Sequence, residues 1–410
     1  MATILCDISA WQYWRTPPEL RNLCIDVTVA TALVQEGGLG IPISLLRRNA
    51  NAREADACVH GRILTDLKGV TLPVHVMVEA GSGLVPSAVT KPHRMPSWIR
   101  LRKHTVSLGN GLYVLCPEVL LLTGSGVGTI ARAKMMYEAC GIFSLLPTNA
   151  RMAWLLRRLR AEDILTRSAE GSQAIYGYYD ESGAPLSFCD PWGEPLPWSP
   201  VFDRNGTMTS MWKRPPLTST QAIEAVAPSL TRARGLRASL AALSICRNGA
   251  ASPLEAYAHL LLCSGCHIGG ESWGNPELNR RIALTPQAQA LAHTSFCIGD
   301  MVWAARKRVL EVHGEGFHAD SLGFRLDTGR RAGLESMGYE APELTYEQIA
   351  NLELFDAVLP SVANKLGFSL QRRTPAFLRR RDRLHHELFG VPYDPDSGRN
   401  PLSLPSPFGL

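Results

Sequence analysis

Residues Phe296 to Gly338 read FCIGDMVWAARKRVLEVHGEGFHADSLGFRLDTGRRAGLESMG. Two short apolar runs of β type, FCIGDMVW and RVLEVH, flank the four-residue link Ala304 to Lys307. A hairpin about that link has its centre between Ala305 and Arg306, which makes Asp300 and Glu311 each the sixth residue out. The two acids are then directly opposed, with Cβ atoms about 4.5–5.5 Å apart. Carboxylates that close can share a divalent cation through oxygen ligands. Without a cation they repel, and one of them takes up a proton. His313 follows Glu311 at i+2 and projects from the same face. The spacing therefore points to a metal-dependent hydrolytic site. The plainer reading is a pair of strand acids facing water beside a structural histidine. The apolar neighbours argue for burial instead, and burying an acid pair without a cation is costly.

Working outward, Ser252-Pro253-Leu254-Glu255 has the form of a helix start. Ser252 suits the N-cap, Pro253 the first helical position, and Glu255 the acid of a capping box. A Gly-rich loop, HIGGESWGNP, and the segment LNRRIAL lead to the hairpin. A helix from about Asp320 follows it, with Gly338 as the stop. YEAPELTYEQI reads as a last strand and LELFDAVLPSVANKL as a helix. From Lys365 to Arg383 there are seven cations (Lys365, Arg372, Arg373, Arg379, Arg380, Arg381, Arg383) against one acid, Asp382. Such a run is either a solvated helix face or a patch that contacts phosphate.

The chain has 410 residues, 45% of them apolar, a net charge of +5 and a pI near 8.7. That length suggests two or three domains, and the charge is a weak pointer to nucleic acid. No apolar run reaches about 18 residues, so no membrane span is expected. The start, MATILCDISAWQYW, lacks the pattern of a secretory signal, and the ten cysteines then read as reduced thiols of a cytoplasmic protein. Residues 1–150 mix β-type runs (VTLPVHVMV, GLYVLCPEVLLL) with helical stretches. Residues 151–168 and 229–246 read as helices, 176–217 as a long irregular connection rich in Pro, Gly, Trp and Tyr, and the last residues as a disordered tail. Cys263-Ser-Gly-Cys266-His267 has the haem-attachment spacing but no export signal or second ligand pair beside it. Gly124-Ser-Gly126-Val-Gly128 falls short of a nucleotide loop because its third glycine comes one place early.

SPLE at 252–255, FCIGDMVW, RVLEVHGEGFHA and FRLDTGRRAGLESMGYE together resemble the very-short-patch-repair-like branch of the PD-(D/E)XK nuclease superfamily. The resemblance covers roughly residues 230–390. LPVHVMV, GLYVLCPEVLLL and MMYEACGIF resemble, more weakly, the AbiEi-like regions that precede such domains. The resemblance implies that Asp300 and Glu311 hold Mg²⁺ or Mn²⁺ and that Glu255 assists from the first helix. His313 stands at the third motif position, where the superfamily usually has Lys and this branch often Asp. His318 matches a downstream His, and Asp327 with Arg330 matches a D-x-x-R on the following helix.

The expectation is a mixed α/β (α+β) protein in four parts. An AbiEi-like N-terminal α/β domain spans 1–168 and an irregular linker 169–228. A restriction-endonuclease-like domain with a central mixed sheet flanked by helices spans 229–390, and a tail 391–410. The expected activity is Mg²⁺-dependent DNA cleavage or nicking in a defence or toxin–antitoxin setting. His313 or His318 would act as base, and Arg330 or Arg331 would steady charge on phosphate. Arg372, Arg373, Arg379 and Arg380 would add contacts to DNA. The alternative is a catalytically inactive nucleic-acid-binding or antitoxin-like regulator on the same fold. A toxin or a second copy of the chain is the further partner that this setting suggests.

Overall fold

The computed structural model describes residues 2–23, 25, 54–79, 85–124, 127–147, 149–161, 167–168, 171–172, 198–202, 208–314 and 321–390. His318, the tail 391–410, residues 125–126 of the Gly-rich motif and most of 176–217 lie outside them. The chain is a mixed α+β protein that divides into two compact units. One is built from Met1–Val127 and Ser144–Leu240, the other from Gly128–Phe143 and Ala241–Leu404. The second unit thus takes in the helix Thr129–Cys140, which local sequence pattern groups with residues 1–168.

In the first unit, strands β1 (Thr3–Leu5), β2 (Val74–Val78), β3 (Thr90–Arg94), β4 (Thr105–Gly109) and β5 (Leu112–Leu115) form a sheet in the order β3-β2-β1-β5-β4. β1 is central and wholly buried. β2 buries Val74, Val76 and Val78 and turns His75 and Met77 to its other face, the period-2 alternation of a half-buried strand. The apolar run after β5 leaves the sheet at Pro117 and becomes the helix Pro117–Leu122, since proline suits the first helical turn and cannot donate to a ladder. β6 (Phe143–Leu145), the short hairpin of β7 (Arg167–Ser168) and β8 (Gly171–Ser172), β9 (Ser199–Phe202) and β10 (Met208–Lys213) follow, and a second sheet runs β6-β10-β9. Part of the segment that reads as an irregular connection is therefore sheet. Trp198 and Trp212 are buried with Met152, Leu156 and Leu159 of the helix Ala150–Ala161, so these two tryptophans pack the core.

The second unit holds one four-stranded sheet in the order β11 (Glu277–Ala283), β12 (Phe296–Trp303), β13 (Arg308–His313), β14 (Glu343–Thr345). The first three strands form an antiparallel meander, and β14 runs parallel to β13. A parallel neighbour needs a crossover, here the helix Ser321–Ser336, which Gly338 stops with a left-handed φ of 80°. The β12–β13 register pairs Met301 with Leu310, Val302 with Val309 and Trp303 with Arg308, so the hairpin is centred between Ala305 and Arg306. The helix Pro253–Cys263 precedes the sheet, and Tyr346–Ala350, Leu352–Leu366 and Pro375–Phe389 follow it.

Three readings of local structure differ from the sequence expectation. Of residues 151–168, the helix Ala150–Ala161 stops short and Arg167–Ser168 is strand. Residues 229–246 are not one helix: a 3₁₀ turn, Ala227–Leu230, is separated from the helix Leu236–Ile245 by Gly235 at φ 84°. In YEAPELTYEQI only Glu343–Thr345 is strand. Thr345 and Gln348 form a capping box that turns the chain into a helix at Tyr346.

The Gly-rich loop after the helix Pro253–Cys263 is a packing device. A Cβ on Gly270 would stand 2.2 Å from the Ser264 carbonyl oxygen, and one on Gly269 2.6 Å from that of Arg380. The loop carries Glu271, whose side chain is fully buried. Its carboxylate meets Arg381 at 2.8 Å and accepts from Arg373 Nη1 and the Gln371 amide, while Arg381 Nε lies 2.9 Å from Asp356. Removing one partner of a buried ion pair leaves the other charge uncompensated. Glu271→Ala should therefore lower the unfolding free energy by about 3–5 kcal/mol in a denaturant titration, whereas exposed Arg379→Ala should change it by less than about 0.5 kcal/mol.

Candidate metal centre

The hairpin register continued one step past Met301 and Leu310 sets Asp300 of β12 beside Glu311 of β13. Their carboxyls are near enough for each to act on the other's titration. Asp300 Oδ2 also accepts from the Val312 N–H at 2.7 Å, so a side chain takes the place of a strand carbonyl there. Trp303, the tryptophan of D-x-x-W, anchors the end of β12. It is buried, its indole N–H donates to the Trp273 carbonyl at 2.9 Å, and its ring lies against Phe368.

The third carboxylate, Glu255, comes from the first turn of the helix Pro253–Cys263. Ser252 caps that helix, accepting from the Glu255 N–H at 3.2 Å. The reciprocal half of the expected capping box does not form. The Glu255 carboxylate instead accepts from the Ala251 N–H at 2.8 Å, the Ser252 hydroxyl at 2.9 Å and the side-chain amide of Asn279 on β11. Asn279 has a φ of 48°, and this left-handed kink in β11 accompanies its reach to Glu255 and to the Gly249 carbonyl. Nothing in LNRRIAL marks it from sequence.

The electrostatics follow from three acids sharing a poorly solvated place. Burial, then the Asp300 charge, pushes Glu255 and Glu311 each up to about 8. Burial also raises Asp300, against the pull of the Val312 amide, His313 and Arg330. Arg330, from the helix Ser321–Ser336, lies 3.7 Å from Glu311 and donates to the Ile298 carbonyl at 2.9 Å. His313 Nε2 is 3.6 Å from Glu343 on β14, a partner that only non-local parallel pairing supplies.

The structure thus brings Glu255, Asp300, Glu311, His313 and Arg330 together. It places Arg331 on the exposed side of its helix, facing Glu335 and Glu343. His318 and the side chain of Asp327 lie outside the described residues. The basic run falls elsewhere. Arg380 Nε donates to the Cys266 carbonyl, just past the far end of the helix that begins beside Glu255, a helix that rises about 16 Å. Arg373 pairs with Glu271 and Asp356, and Arg372 and Arg379 are exposed. Cys266 and His267 are exposed beyond Cys263, and no third ligand group closes on them among the described residues.

The carboxylates could suit a hard divalent cation, since all their donors are oxygens, with Arg330 at 3.7 Å from Glu311. They are not drawn into a closed cage. Among the described residues, the one set of three ligand groups within 4.8 Å of each other is in the first unit. Asp300 and Glu311 could hold such a cation, with Glu255 fixed by three donors behind them.

Raised carboxylates give a definite sign to stability against pH. Between the unfolded value, about 4.3–4.5, and the folded value near 8, the native state holds more protons than the unfolded chain, so stability falls as pH rises. Between pH 6.5 and 8.5 the melting temperature of the metal-free protein should drop, the drop should be smaller in Glu311→Gln, and saturating Mg²⁺ should reduce it. Equal pH slopes for wild type and variant by differential scanning calorimetry would show that these acids are not buried as described.

No family model, no curated protein and no solved structure matches the chain.

Proposed function

We propose that the second unit is a metal-dependent phosphodiester hydrolase acting on DNA. The observation that carries this reading is the convergence of Asp300 and Glu311 from adjacent strands with Glu255 from the preceding helix. Support comes from the order of elements. SPLE opens a helix, D-x-x-W lies on one strand, E-x-H on the next and Arg330 on the helix after, which is the order that the nuclease resemblance implies. DNA as the substrate, and a defence setting, rest on that resemblance.

Asp300 and Glu311 would hold Mg²⁺ or Mn²⁺. The bound ion would supply polarisation of a phosphodiester oxygen and a lowered pKa for water. Each residue then has its own task. Glu255 keeps its carboxylate fixed through Ala251, Ser252 and Asn279, ready to orient a water. His313, with Nε2 toward Glu343, is placed to take a proton, since imidazole near neutral pH exchanges one readily. Arg330 offers a guanidinium to charge developing on phosphate.

A second reading has an observation of its own. Arg330 already stands 3.7 Å from Glu311, and a guanidinium there partly fills the role of an ion. In that case the unit binds nucleic acid without cutting it.

Calorimetry with Mg²⁺ and Mn²⁺ separates the two readings. The hydrolase reading expects binding by wild type that is lost in Asp300→Ala/Glu311→Ala, with nicking of supercoiled plasmid lost in parallel. A folded wild type that binds neither ion overturns it and leaves the binding-protein reading.

A further inference from the structure

A separate constellation lies in the first unit, where β1 ends and the helix Asp7–Arg15 begins. Ile4 pairs with Met77 and Leu5 with Val76, and the Cys6 N–H donates to the His75 carbonyl, so Cys6 lies beside His75. The parallel β2–β3 register sets Met77 opposite His93, which brings His93 to the same end of the sheet. His93 Nε2 is 3.2 Å from His75 Nδ1, and these two nitrogens are 3.8 Å and 3.7 Å from Asp7 Oδ2. Cys6 Sγ, an Asp7 oxygen and a His93 nitrogen all lie within 4.8 Å of one another.

These separations have a geometric meaning. Ligand atoms at about 2.0–2.3 Å from a tetrahedral ion stand about 3.3–3.8 Å from each other. The three distances among Asp7, His75 and His93 lie at or near that range. Two features of the backbone fit the same point. Asp7 is held at φ 47°, a conformation uncommon for a residue with a side chain and often found where a ligand is clamped. Cys6 occupies the N-cap of the helix but makes no side-chain capping bond, so its sulfur has no helical duty. The side chains of Asp7, His93 and His75 are 44%, 34% and 21% exposed, so an ion reaches the cluster from their side, while Cys6 is buried behind them.

We propose that Cys6, Asp7, His75 and His93 bind a divalent transition ion of the zinc type. A thiolate, two imidazoles and one carboxylate are the donor set that such ions prefer over Mg²⁺. The site gathers residues from β1, β2 and β3, so the ion ties the start of the chain to strands some seventy to ninety residues on. It is independent of the carboxylates on β12 and β13.

The test uses the full chain stripped with a chelator, then titrated with Co²⁺ as a spectroscopic probe and with Zn²⁺ against a chromophoric chelator. Expected are a thiolate-to-cobalt charge-transfer band in the near ultraviolet that saturates at one equivalent of thiolate-bound ion, and a rise in melting temperature with Zn²⁺. Cys6→Ser should abolish the band. His93→Gln and His75→Gln alter partly exposed side chains, and each should weaken Zn²⁺ by more than about tenfold. Asp300→Ala/Glu311→Ala, which removes only oxygen donors, should leave the thiolate-to-cobalt band unchanged. A folded wild type without the cobalt spectrum would reduce the cluster to a hydrogen-bonded histidine pair and overturn the proposal. So would a thiolate band that survives Cys6→Ser, or Zn²⁺ affinity that survives both histidine changes, because the ion would then sit on other thiols.

Discussion

The second unit depends on one electrostatic constraint: two carboxylates opposed across a hairpin, with a third behind them, in a place that water reaches poorly. In such surroundings each charge raises the cost of the next. The fold answers with fixed dipoles. The Val312 amide serves Asp300, and the Ala251 amide, Ser252 hydroxyl and Asn279 amide serve Glu255. These donors stabilise single charges but do not cancel three. Among the described residues the arginine within 4 Å is Arg330, at a distance longer than a direct hydrogen bond. What remains is relieved by protonation or by a cation, and the two exclude each other. If a divalent ion binds Asp300 and Glu311, it would take the place of the proton on that pair.

The meander and its crossover are what let so costly a group of side chains persist. β12 and β13 fix the Asp300–Glu311 spacing through the hairpin register, a local property set by the turn at Ala304–Arg306 and left-handed Lys307. β14 then closes on β13 in parallel, which places Glu343 beside Glu311 in register and within reach of His313 and Arg331. A buried pocket of acid thus has an outer rim of salt-bridged groups. Beyond it, Ile282, Val302, Val309 and Leu334 form the apolar body that holds the sheet against its helices.

The parts of this arrangement that were legible in the sequence are those with short-range causes. Hairpin arithmetic places Asp300 against Glu311 because the side-chain period of a strand is two and the link is short. Ser252 and Pro253 mark a helix start, and Gly338 its later stop. What the sequence hides depends on non-local pairing. Asn279 reaches Glu255 only because β11 kinks beside β12, and Glu343 meets His313 only across a parallel crossover. The run of arginines shows the opposite failure. Charge density at 372–383 suggests a phosphate patch, yet Arg373 and Arg381 are drawn inward by Glu271 and Asp356, acids distant in sequence or on another helix. A count of charges carries no information about such partners. Likewise Gly235, just before the helix Leu236–Ile245, breaks a run that periodicity alone would make one helix.

The two candidate metal centres differ in the chemistry that would keep their ions apart. Asp300, Glu311 and Glu255 offer only oxygen, on side chains spaced loosely enough to admit water, and hard ions that keep part of their hydration shell favour such a set. Cys6, Asp7, His75 and His93 offer sulfur and nitrogen within a few ångströms, and softer ions that shed water readily favour that. Exchange between the sites is disfavoured in both directions. Mg²⁺ gains little from a thiolate and two imidazoles, and a zinc-type ion on two carboxylates forgoes the donors it prefers. Donor type, more than affinity, would therefore assign each ion its place. The oxygen set stands on a sheet with His313 and Arg330 beside it. The mixed set stands where a central strand turns into its helix, a place suited to holding a fold together.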